Sequence, residues 1–416
     1  MINIRECAKT ILANIIAENM PQKAVINALV THKLESNKIY LVAIGKAAWT
    51  MAKAACDYLG DKIEKGIVIT KYNHSMGDIP KMEIFEAGHP IPDENTVAAT
   101  LAALSLVKNL NKDDEVLFLV SGGGSALFEA PLDGMTIEDL ANLTNTMLTS
   151  GADIVEINMI RKRMSKVKAG RFAALISPAK VTQIVLSDVL GDRLDTIASG
   201  PAAPDTSTKE EALAIVKKYG LQLTPLQTEL LGHETPKTAD NVKTAITGSV
   251  RSLCESAAAS AKALGFTPYI LTTSLNCEAA EAGKFLASVA HDTQHGITHF
   301  KKPCAIIAGG ETVVKVTGSG MGGRNQELAL SAARGIAGLA NTVIFSIGSD
   351  GTDGPTDAAG GIADGETMTM LAAQGINIYN TLVNNDSYHG LKAVDGLIIT
   401  GPTGTNVNDV AVVLCI

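Results

Sequence analysis

One stretch of this chain indicates its fold class, and it reads Glu115-Val-Leu-Phe-Leu-Val-Ser-Gly-Gly-Gly-Ser-Ala-Leu127. Five consecutive apolar residues, 116–120, are typical of a strand buried on both faces, as in a parallel sheet. The glycines that follow lack Cβ atoms and leave backbone N–H groups open to an anion. Ligands bind just past the carboxyl ends of strands in open α/β sheets. The candidate phosphate loop therefore consists of Ser121, Gly122, Gly123, Gly124 and Ser125; a plain flexible turn is the alternative.

The rest of the chain repeats one arrangement, in which an apolar strand is followed by glycine with a polar residue and then by a helix. Strands are predicted at 39–44, 66–70, 181–186, 244–246, 269–271, 305–308, 313–316, 343–347 and 397–399. Alternation of this kind predicts an α/β fold with largely parallel sheets flanked by helices.

The length of 416 residues exceeds one ordinary hydrophobic core, so two domains are expected. A polar stretch with a proline, 232–241, separates two series of strands and helices. We predict a first, Rossmann-like α/β domain over residues 1–237, which carries the glycine-rich loop, and a second α/β domain over 238–416. The GxGxxG fingerprint of dinucleotide-binding domains fails around Gly122 and Gly124, because its third glycine would fall on Leu127.

Composition argues against several classes of function. The net charge is −8 and no basic stripe is present, which argues against nucleic acid and anionic membrane surfaces as partners. No apolar run approaches the roughly 18–20 residues of a membrane span. The six cysteines are scattered without a CxxC pair, as is typical of reduced, mostly buried thiols in a cytosolic protein. We expect small-molecule substrates and a cytoplasmic monomer or homodimer.

Three predicted strands are followed by a carboxylate, at Asp188, Glu311 and Asp350. Carboxylates in such positions suit Mg²⁺, which keeps several waters and bridges one or two carboxylates to substrate phosphates. The alternative for each residue is a helix N-cap. Because the pattern occurs three times, it favours an acid-lined cleft.

Two cations stand at predicted helix starts, where the helix dipole disfavours positive charge. Lys46 follows the strand 39–44, and Arg324 follows two glycines. An anion bound at each helix end would compensate, and arginine can hold a carboxylate or phosphate through two N–H groups. The alternatives are a lysine that extends into solvent and an ion pair between Arg324 and Glu327.

A dense basic run occupies the segment 161–171 and comprises Arg161, Lys162, Arg163, Lys166, Lys168 and Arg171. Such a run is usually a solvated helix face. The alternative is a face turned toward an anionic ligand.

The ordered motifs of this chain resemble those of glycerate 2-kinases whose C-terminal half is the MOFRL domain. The resemblance covers nearly the whole chain, including 42–48, 88–94, 121–127, 187–192, 197–201 and 310–312. Its most specific parts are Gly322-Gly-Arg-Asn-Gln-Glu327, Ser349-Asp-Gly-Thr-Asp-Gly-Pro-Thr-Asp357 and Thr400-Gly-Pro-Thr-Gly-Thr-Asn-Val-Asn-Asp409. Where the family usually reads RKHLSxxKGG, this chain has Arg163 in place of histidine and Ala169 in place of glycine.

The resemblance implies ATP- and Mg²⁺-dependent phosphorylation of D-glycerate at its 2-hydroxyl, giving 2-phosphoglycerate and ADP. It also implies two α/β domains with the active site in the cleft between them. The active-site residues that it implies are Lys46 and Arg324. From the strand-end pattern we add Asp188 as a catalytic candidate, 121–125 as the ATP-binding loop, and Asp188, Glu311 and Asp350 as candidate metal ligands. Which carboxylate binds metal and which accepts the hydroxyl proton stays open. The alternatives are an NAD(P)H-dependent hydroxypyruvate reductase and a non-catalytic sugar-phosphate-binding module.

Overall fold

The computed structural model describes residues 3–189 and 191–416. Within them the chain forms two compact units, each with a six-stranded sheet. We call the first, Ala24–Ser187 with Asp192–Thr247, the glycine-loop unit. The second, the C-terminal unit, contains Gly248–Ile416 and the described residues of 1–23 and 188–191. The fold class is α/β, as the sequence predicts.

The sheet of the glycine-loop unit has the strand order β3-β2-β1-β4-β5-β6. Its strands are β1 (Ile39–Ile44), β2 (Ile63–Lys71), β3 (Met82–Ala87), β4 (Glu115–Val120), β5 (Lys180–Leu186) and β6 (Val242–Gly248). The pairs β1–β2, β2–β3, β1–β4 and β4–β5 are parallel. This is the order of doubly wound nucleotide-binding sheets, and it reverses between β1 and β4. Ligands of such sheets bind outside the carboxyl ends of the strands at that reversal.

Burial of β4 on both faces confirms the prediction made from its apolar run, since all six of its residues are buried. The helices along residues 21–231 are α2 (Pro21–Thr31), α3 (Ala48–Leu59), α4 (Glu94–Val107), α5 (Gly124–Leu127), α6 (Ile137–Thr149), α7 (Ile154–Arg163), α8 (Arg171–Ile176), α9 (Lys209–Tyr219) and α10 (Pro225–Leu231). Helix α3 contacts β1 and β2, and α4 contacts β2 and β3, so helices cover the sheet beside the predicted loop.

The basic run 161–171 is not the solvated face that its composition suggests. Arg163 is fully buried, and its Nη1 and Nη2 atoms donate to the hydroxyl and carbonyl of Ser207, both at 2.9 Å. Nη1 also lies 3.5 Å from Asp205 Oδ2. Lys162 and Lys168 are buried as well. Both interpretations from sequence are wrong for these three cations, because buried carboxylates of the same unit neutralise them.

The sheet of the C-terminal unit has the order β11-β10-β9-β12-β8-β7. Its strands are β7 (Thr267–Leu275), β8 (Cys304–Gly310), β9 (Thr342–Gly348), β10 (Gly360–Asp364), β11 (Leu397–Ile398) and β12 (Asp409–Cys415). Four strands run in one direction, whereas β12 and β10 run in the other and are antiparallel to their neighbours. The sequence analysis missed β10 and the inner strand β12. The strand predicted at 313–316 is wrong, since that segment forms only an isolated bridge from Val313 to Glu278.

The helices of the C-terminal unit are α1 (Ile4–Glu18), α11 (Val250–Ala263), α12 (Ala279–Gln294), α13 (Arg324–Gly335), α14 (Thr367–Ala373), α15 (Ile378–Val383) and α16 (Ser387–Lys392). Helix α13 is buried along most of its length, between α12 on one side and β9 and β10 on the other. Its first residue is Arg324, so the packing of this helix fixes where that arginine emerges.

The compact units do not coincide with the predicted division at 237/238. Helix α1 belongs with the C-terminal unit because it packs on α11, where Asn19 Nδ2 donates to Ser256 Oγ at 3.0 Å and Ser252 Oγ donates to Asn19 Oδ1 at 2.8 Å. Strand β6 extends the first sheet and moves the boundary to 247/248.

All six cysteines are free thiols, of which Cys254, Cys304 and Cys415 are buried and Cys277 is exposed. In the described ranges, no helix is both long and apolar enough to cross a membrane.

Replacing Arg163 by methionine should destabilise the glycine-loop unit by about 3–5 kcal/mol, the usual cost of removing one partner of a buried ion pair. The single tryptophan, Trp49 in α3, allows urea unfolding of this unit to be followed by fluorescence. Arg193→Met is the matched control, because Arg193 is 60% exposed in its pair with Asp195 and should cost at most about 1 kcal/mol. Equal stability of the two variants would contradict the prediction.

Candidate active site

The carboxyl ends of β1 and β4 are joined by four hydrogen bonds, one of them from the Ser121 N–H to the Ile44 carbonyl at 3.0 Å. The Lys46 N–H donates to the Gly122 carbonyl at 2.9 Å. The Ser121 hydroxyl donates to the Ile44 carbonyl and accepts from the Ala47 N–H, both at 3.1 Å. Two of the predicted site elements, Lys46 and the glycine loop, are therefore neighbours at the point where the strand order reverses.

Two glycines are required here by close approach and backbone conformation. Gly45 has φ +110°, and a Cβ on it would lie 2.3 Å from Ser121 Oγ. Gly123 has φ +84°, and a Cβ on it would lie 2.9 Å from His89 Cδ2 and 3.3 Å from Lys46 Cγ. Residues that carry a side chain rarely adopt such φ values, and neither position has space for a side chain. The segment is therefore a packed loop.

Several donors of this loop have no partner. The N–H groups of Gly122, Gly123 and Ser125 donate to no group in residues 3–189 and 191–416. Lys46 Nζ likewise makes neither a hydrogen bond nor an ion pair within the part of the chain that the structure describes. Backbone N–H groups in a tight loop next to a free ammonium are a common anion-binding arrangement.

A buried lysine supports the far end of the loop. Lys168 Nζ donates to the carbonyls of Ser125 and Phe128, at 2.8 and 3.2 Å, and lies 3.4 Å from Glu129 Oε2. Lys168 and Glu129 are inaccessible to solvent, and burial lowers the pKa of Lys168 to about 8. Neither Glu129 carboxylate oxygen has a hydrogen-bond partner among the described residues, so the nearby lysine is its main compensation.

Two histidines to which the sequence analysis gave no role border the loop. His89 follows β3 and lies against Gly123, and His74 Nδ1 is 3.3 Å from the Lys46 carbonyl. Burial lowers the pKa of His89 to about 4, and the positive charges of Lys46, Lys71 and His74 contribute in the same direction. The imidazole of His89 is therefore neutral at pH 7.

A second group of predicted residues lies at one edge of the sheet in the C-terminal unit. Asp409, the first residue of β12, pairs with Gly310 at the end of β8 and with Gly348 at the end of β9. A Cβ on Gly348 would lie 3.3 Å from Asp350 Oδ1 and 3.4 Å from Asp409 Oδ1. Glu311 directly follows Gly310, so three carboxylates share this edge.

Arg324 is held by two of these carboxylates. Its Nε and Nη2 donate to Asp409 Oδ2 and Oδ1 at 2.6 and 3.0 Å, and its Nη1 lies 3.1 Å from Glu311 Oε1. Burial raises the pKa of Asp409 to about 6, although Arg324 opposes this effect. The alternative pairing of Arg324 with Glu327 is wrong, because Glu327 instead accepts from Asn385 Nδ2 at 3.2 Å.

Asp353 accepts hydrogen bonds from backbone N–H groups at the start of α13. Its carboxylate accepts from the N–H groups of Asn325 and Gln326 at 3.1 and 2.9 Å, and burial raises its pKa. A Cβ on Gly323 would lie 2.3 Å from Asp353 Cγ, which explains the glycine before Arg324. The unfavourable position of Arg324 at a helix start is thus compensated by internal carboxylates, and an external anion is not needed to explain it.

The three predicted metal ligands belong to the C-terminal unit but do not form a closed ligand set. In residues 3–189 and 191–416, no three His, Cys, Asp or Glu side chains are grouped to hold a metal ion. Asp350 Oδ1 accepts from the Thr352 N–H at 3.0 Å. The Asp188 carbonyl accepts from Asn408 Nδ2 at 3.0 Å, next to Asp409. The metal assignment therefore stays a prediction.

The sequence analysis gave no role to His89, Asp353 or Asp409. All three lie in motifs that carry the family resemblance, at 88–94, 349–357 and 400–409. The signal that could have identified these three residues is that each is a polar residue within such a motif. Asp409 precedes an antiparallel strand, so a search for carboxylates after strands could not find it.

Comparisons with known proteins show which family the chain resembles over its length. Residues 7–231 match a family described as a domain of unknown function, DUF4147, and residues 304–409 match the MOFRL family. A D-glycerate 2-kinase from Thermotoga maritima is 53% identical over 414 residues, which cover 100% of this chain and 99% of the relative. An Agrobacterium vitis protein, provisionally named a hydroxypyruvate reductase, is 36% identical over 423 residues, which cover 99% of this chain and 95% of that protein.

A solved glycerate kinase structure from Thermotoga maritima superimposes with a TM-score of 0.96 at 53% identity and covers 99% of both chains. The chain belongs to the glycerate 2-kinase family that carries a C-terminal MOFRL domain.

Proposed function

We propose that this protein is an ATP-dependent D-glycerate 2-kinase, which phosphorylates the 2-hydroxyl of D-glycerate and yields 2-phosphoglycerate and ADP. The observation that carries the proposal is the group of unpartnered donors at the reversal of the first sheet, namely Lys46 Nζ and the N–H groups of Gly122, Gly123 and Ser125. The full-length similarity to D-glycerate 2-kinase supports the choice of acceptor. Phosphoryl transfer depends mainly on positioning and charge neutralisation, which these groups supply.

The glycine-loop unit acts on the phosphates in this mechanism. The loop 121–125 binds phosphate oxygens through its backbone N–H groups, and Lys46 offsets charge on the transferring group. The buried Lys168 holds the end of the loop in place through the carbonyls of Ser125 and Phe128.

The C-terminal unit supplies a fixed arginine and several carboxylates. Arg324 has five N–H donors, of which Asp409 and Glu311 engage three, so the others are available to a carboxylate or phosphate of the reactants. Asp188, Glu311 and Asp350 are the candidates for accepting the hydroxyl proton.

Magnesium fits the donor set of this sheet edge. Carboxylate oxygens of Asp350, Glu311 and Asp188 are hard ligands, and Mg²⁺ at kinase sites needs only one or two of them besides phosphates and water. Asp350 is best suited, because its carboxylate accepts a hydrogen bond only from a backbone N–H within residues 3–189 and 191–416. When bound, the ion would offset the charge of the nucleotide phosphates.

Two assays distinguish this proposal from hydroxypyruvate reduction. Purified protein should consume ATP with D-glycerate, and the product should be the 2-phosphate and not the 3-phosphate. A reductase would instead oxidise NADH with hydroxypyruvate and leave ATP unchanged. A non-catalytic binding module would do neither.

We also propose that the protein acts in the cytoplasm on small molecules, as a monomer or homodimer. The six free thiols support a reducing compartment.

Gly123→Ala should weaken ATP binding strongly, because the new Cβ meets His89 and Lys46 and moves the loop. The matched control is Gly151→Ala. Gly151 has a similar φ of +83°, but a Cβ there would have nothing within 4 Å. Backbone strain is thus equal in the two variants, and only the first alters the loop. Calorimetric titration with ATP gives the two dissociation constants, and equal values would contradict the loop as a phosphate site.

Lys46→Ala should lower kcat on the order of 10²–10³-fold, as for other lost donors to a transition state. Lys53→Ala, in helix α3 just after Lys46 and in an exposed pair with Asp57, should leave kcat near the native value. Arg324→Lys retains the charge but loses the forked geometry, so it should lower kcat/KM while Asp409 keeps a cationic partner. Steady-state kinetics of folded variants test this, and near-native kcat/KM for both Lys46→Ala and Arg324→Lys would contradict the assignment.

Chelation of divalent ions should abolish turnover, because carboxylates cannot approach nucleotide phosphates without a bridging cation. ATP consumption is measured in excess EDTA and again after addition of MgCl₂, which should restore the rate. Undiminished turnover in EDTA would contradict metal dependence.

A further inference from the structure

The imidazole of His89 lies over the glycine loop without a protein partner. A Cβ built on Gly123 would lie 2.9 Å from His89 Cδ2 and 3.0 Å from His89 Nε2. The side chain is half-buried, and neither ring nitrogen makes a hydrogen bond with another residue of the described ranges. Both ring nitrogens are therefore available to a ligand bound at the loop.

The loop that carries His89 is anchored at both ends, and this anchoring fixes the position of the ring. Strand β3 ends at Ala87, which pairs with Lys71 of β2. At the other end of the segment, Asp93 caps α4 by accepting from the Thr96 N–H at 2.9 Å. The hydroxyl of Tyr72 also donates to Asp93, at 2.6 Å. His89 is therefore held by the two ends of its loop and not by bonds of its own ring.

The charged residues that act on the His89 ring are basic. Lys46 follows β1, and Lys71 and His74 lie at the end of β2. The nearby carboxylates are engaged elsewhere, since Asp93 caps its helix and Glu86 accepts from the His74 N–H at 3.0 Å. Burial first, and then these cations, keep the ring neutral, with one N–H donor and one acceptor nitrogen. A bound anion would reverse the sign of the local field and favour a donating, protonated ring.

We propose that His89 is a ligand-binding residue whose imidazole donates a hydrogen bond to a phosphate oxygen of the nucleoside triphosphate on the loop 121–125. This inference rests on the proposed phosphate-binding role of that loop. The ligand group is a phosphate of the nucleotide and not the carboxylate of glycerate, because the donors that adjoin the ring are Lys46 and the loop N–H groups. His89 thereby adds a side-chain donor to a site otherwise formed by backbone and one ammonium.

Nuclear magnetic resonance of ¹⁵N-histidine-labelled protein tests the inference directly. The chain has eight histidines, and the signal of His89 is identified by its absence in His89→Gln. The pH titration of this signal is recorded for the free protein, with ATP, and with D-glycerate alone. ATP should raise the titration midpoint by about 1–3 pH units, the usual effect of an adjacent opposite charge, and D-glycerate should not. An unchanged midpoint with ATP bound, or a shift with D-glycerate only, would overturn the inference.

Binding measurements separate failure of this inference from failure of the proposed function. His89→Ala should weaken ATP binding on the order of 10-fold or more, and His89→Gln, which retains an N–H donor, should weaken it less. His233→Ala, an exposed histidine of the same unit, is the control and should bind ATP normally. If Gly123→Ala weakens ATP binding but both His89 variants bind as the native protein does, only the inference on His89 is overturned. If Gly123→Ala also binds ATP normally, the loop assignment and this inference both fail.

Discussion

The glycine-loop unit depends on the close approach of two parallel strands at their carboxyl ends. One hydroxyl, that of Ser121, bridges the Ile44 carbonyl of β1 and the Ala47 N–H at the start of α3. This contact is possible only because Gly45 has no side chain. With the strands joined in this way, the backbone of the loop has few internal partners left. Its N–H groups are consequently available, and the side chain of Lys46 passes close to Gly123.

The cations of this protein divide into those that the protein compensates and those that it does not. Arg163, Lys168 and Arg324 are neutralised by carboxylates of their own units. Lys46 has no such partner among the described residues. The dipole argument applied equally to Lys46 and Arg324 in the sequence, yet internal carboxylates account for Arg324 alone. A lysine and N–H groups that have no partner among the described residues therefore indicate an anion site more strongly than an arginine that carboxylates already neutralise.

The sequence was sufficient to predict the elements that obey local rules. The buried strand β4 and the turn at Gly122–Gly124 follow from a hydrophobic run and the glycines after it, and the structure confirms both. Lys46 was expected to open a helix, whereas α3 begins two residues later, at Ala48. Pairings over long sequence distances were not predictable. The bond from Arg324 to Asp409 spans 85 positions, and no periodicity encodes it.

The family comparison of Arg163 and Ala169 shows a related limit. A basic run in the sequence carries no information about burial, so Arg163 was not recognised as a core residue. Ala169 has φ +54°, a conformation that favours glycine, which gives a physical reason for the glycine usual in the family. In this chain an alanine adopts that conformation, which the residue type alone does not predict.

The antiparallel placement of β12 explains why the C-terminal unit can bring an arginine to a cluster of carboxylates. In an all-parallel sheet, neighbouring strands would each present their last residues at this edge. Because β12 runs the other way, its first residue, Asp409, stands between the last residues of β8 and β9. Asp409 can then accept hydrogen bonds from Arg324 with both carboxylate oxygens, while Glu311 and Asp350 follow the flanking strands β8 and β9. A reversal of one strand thus converts a row of separate strand ends into an ordered, charged edge.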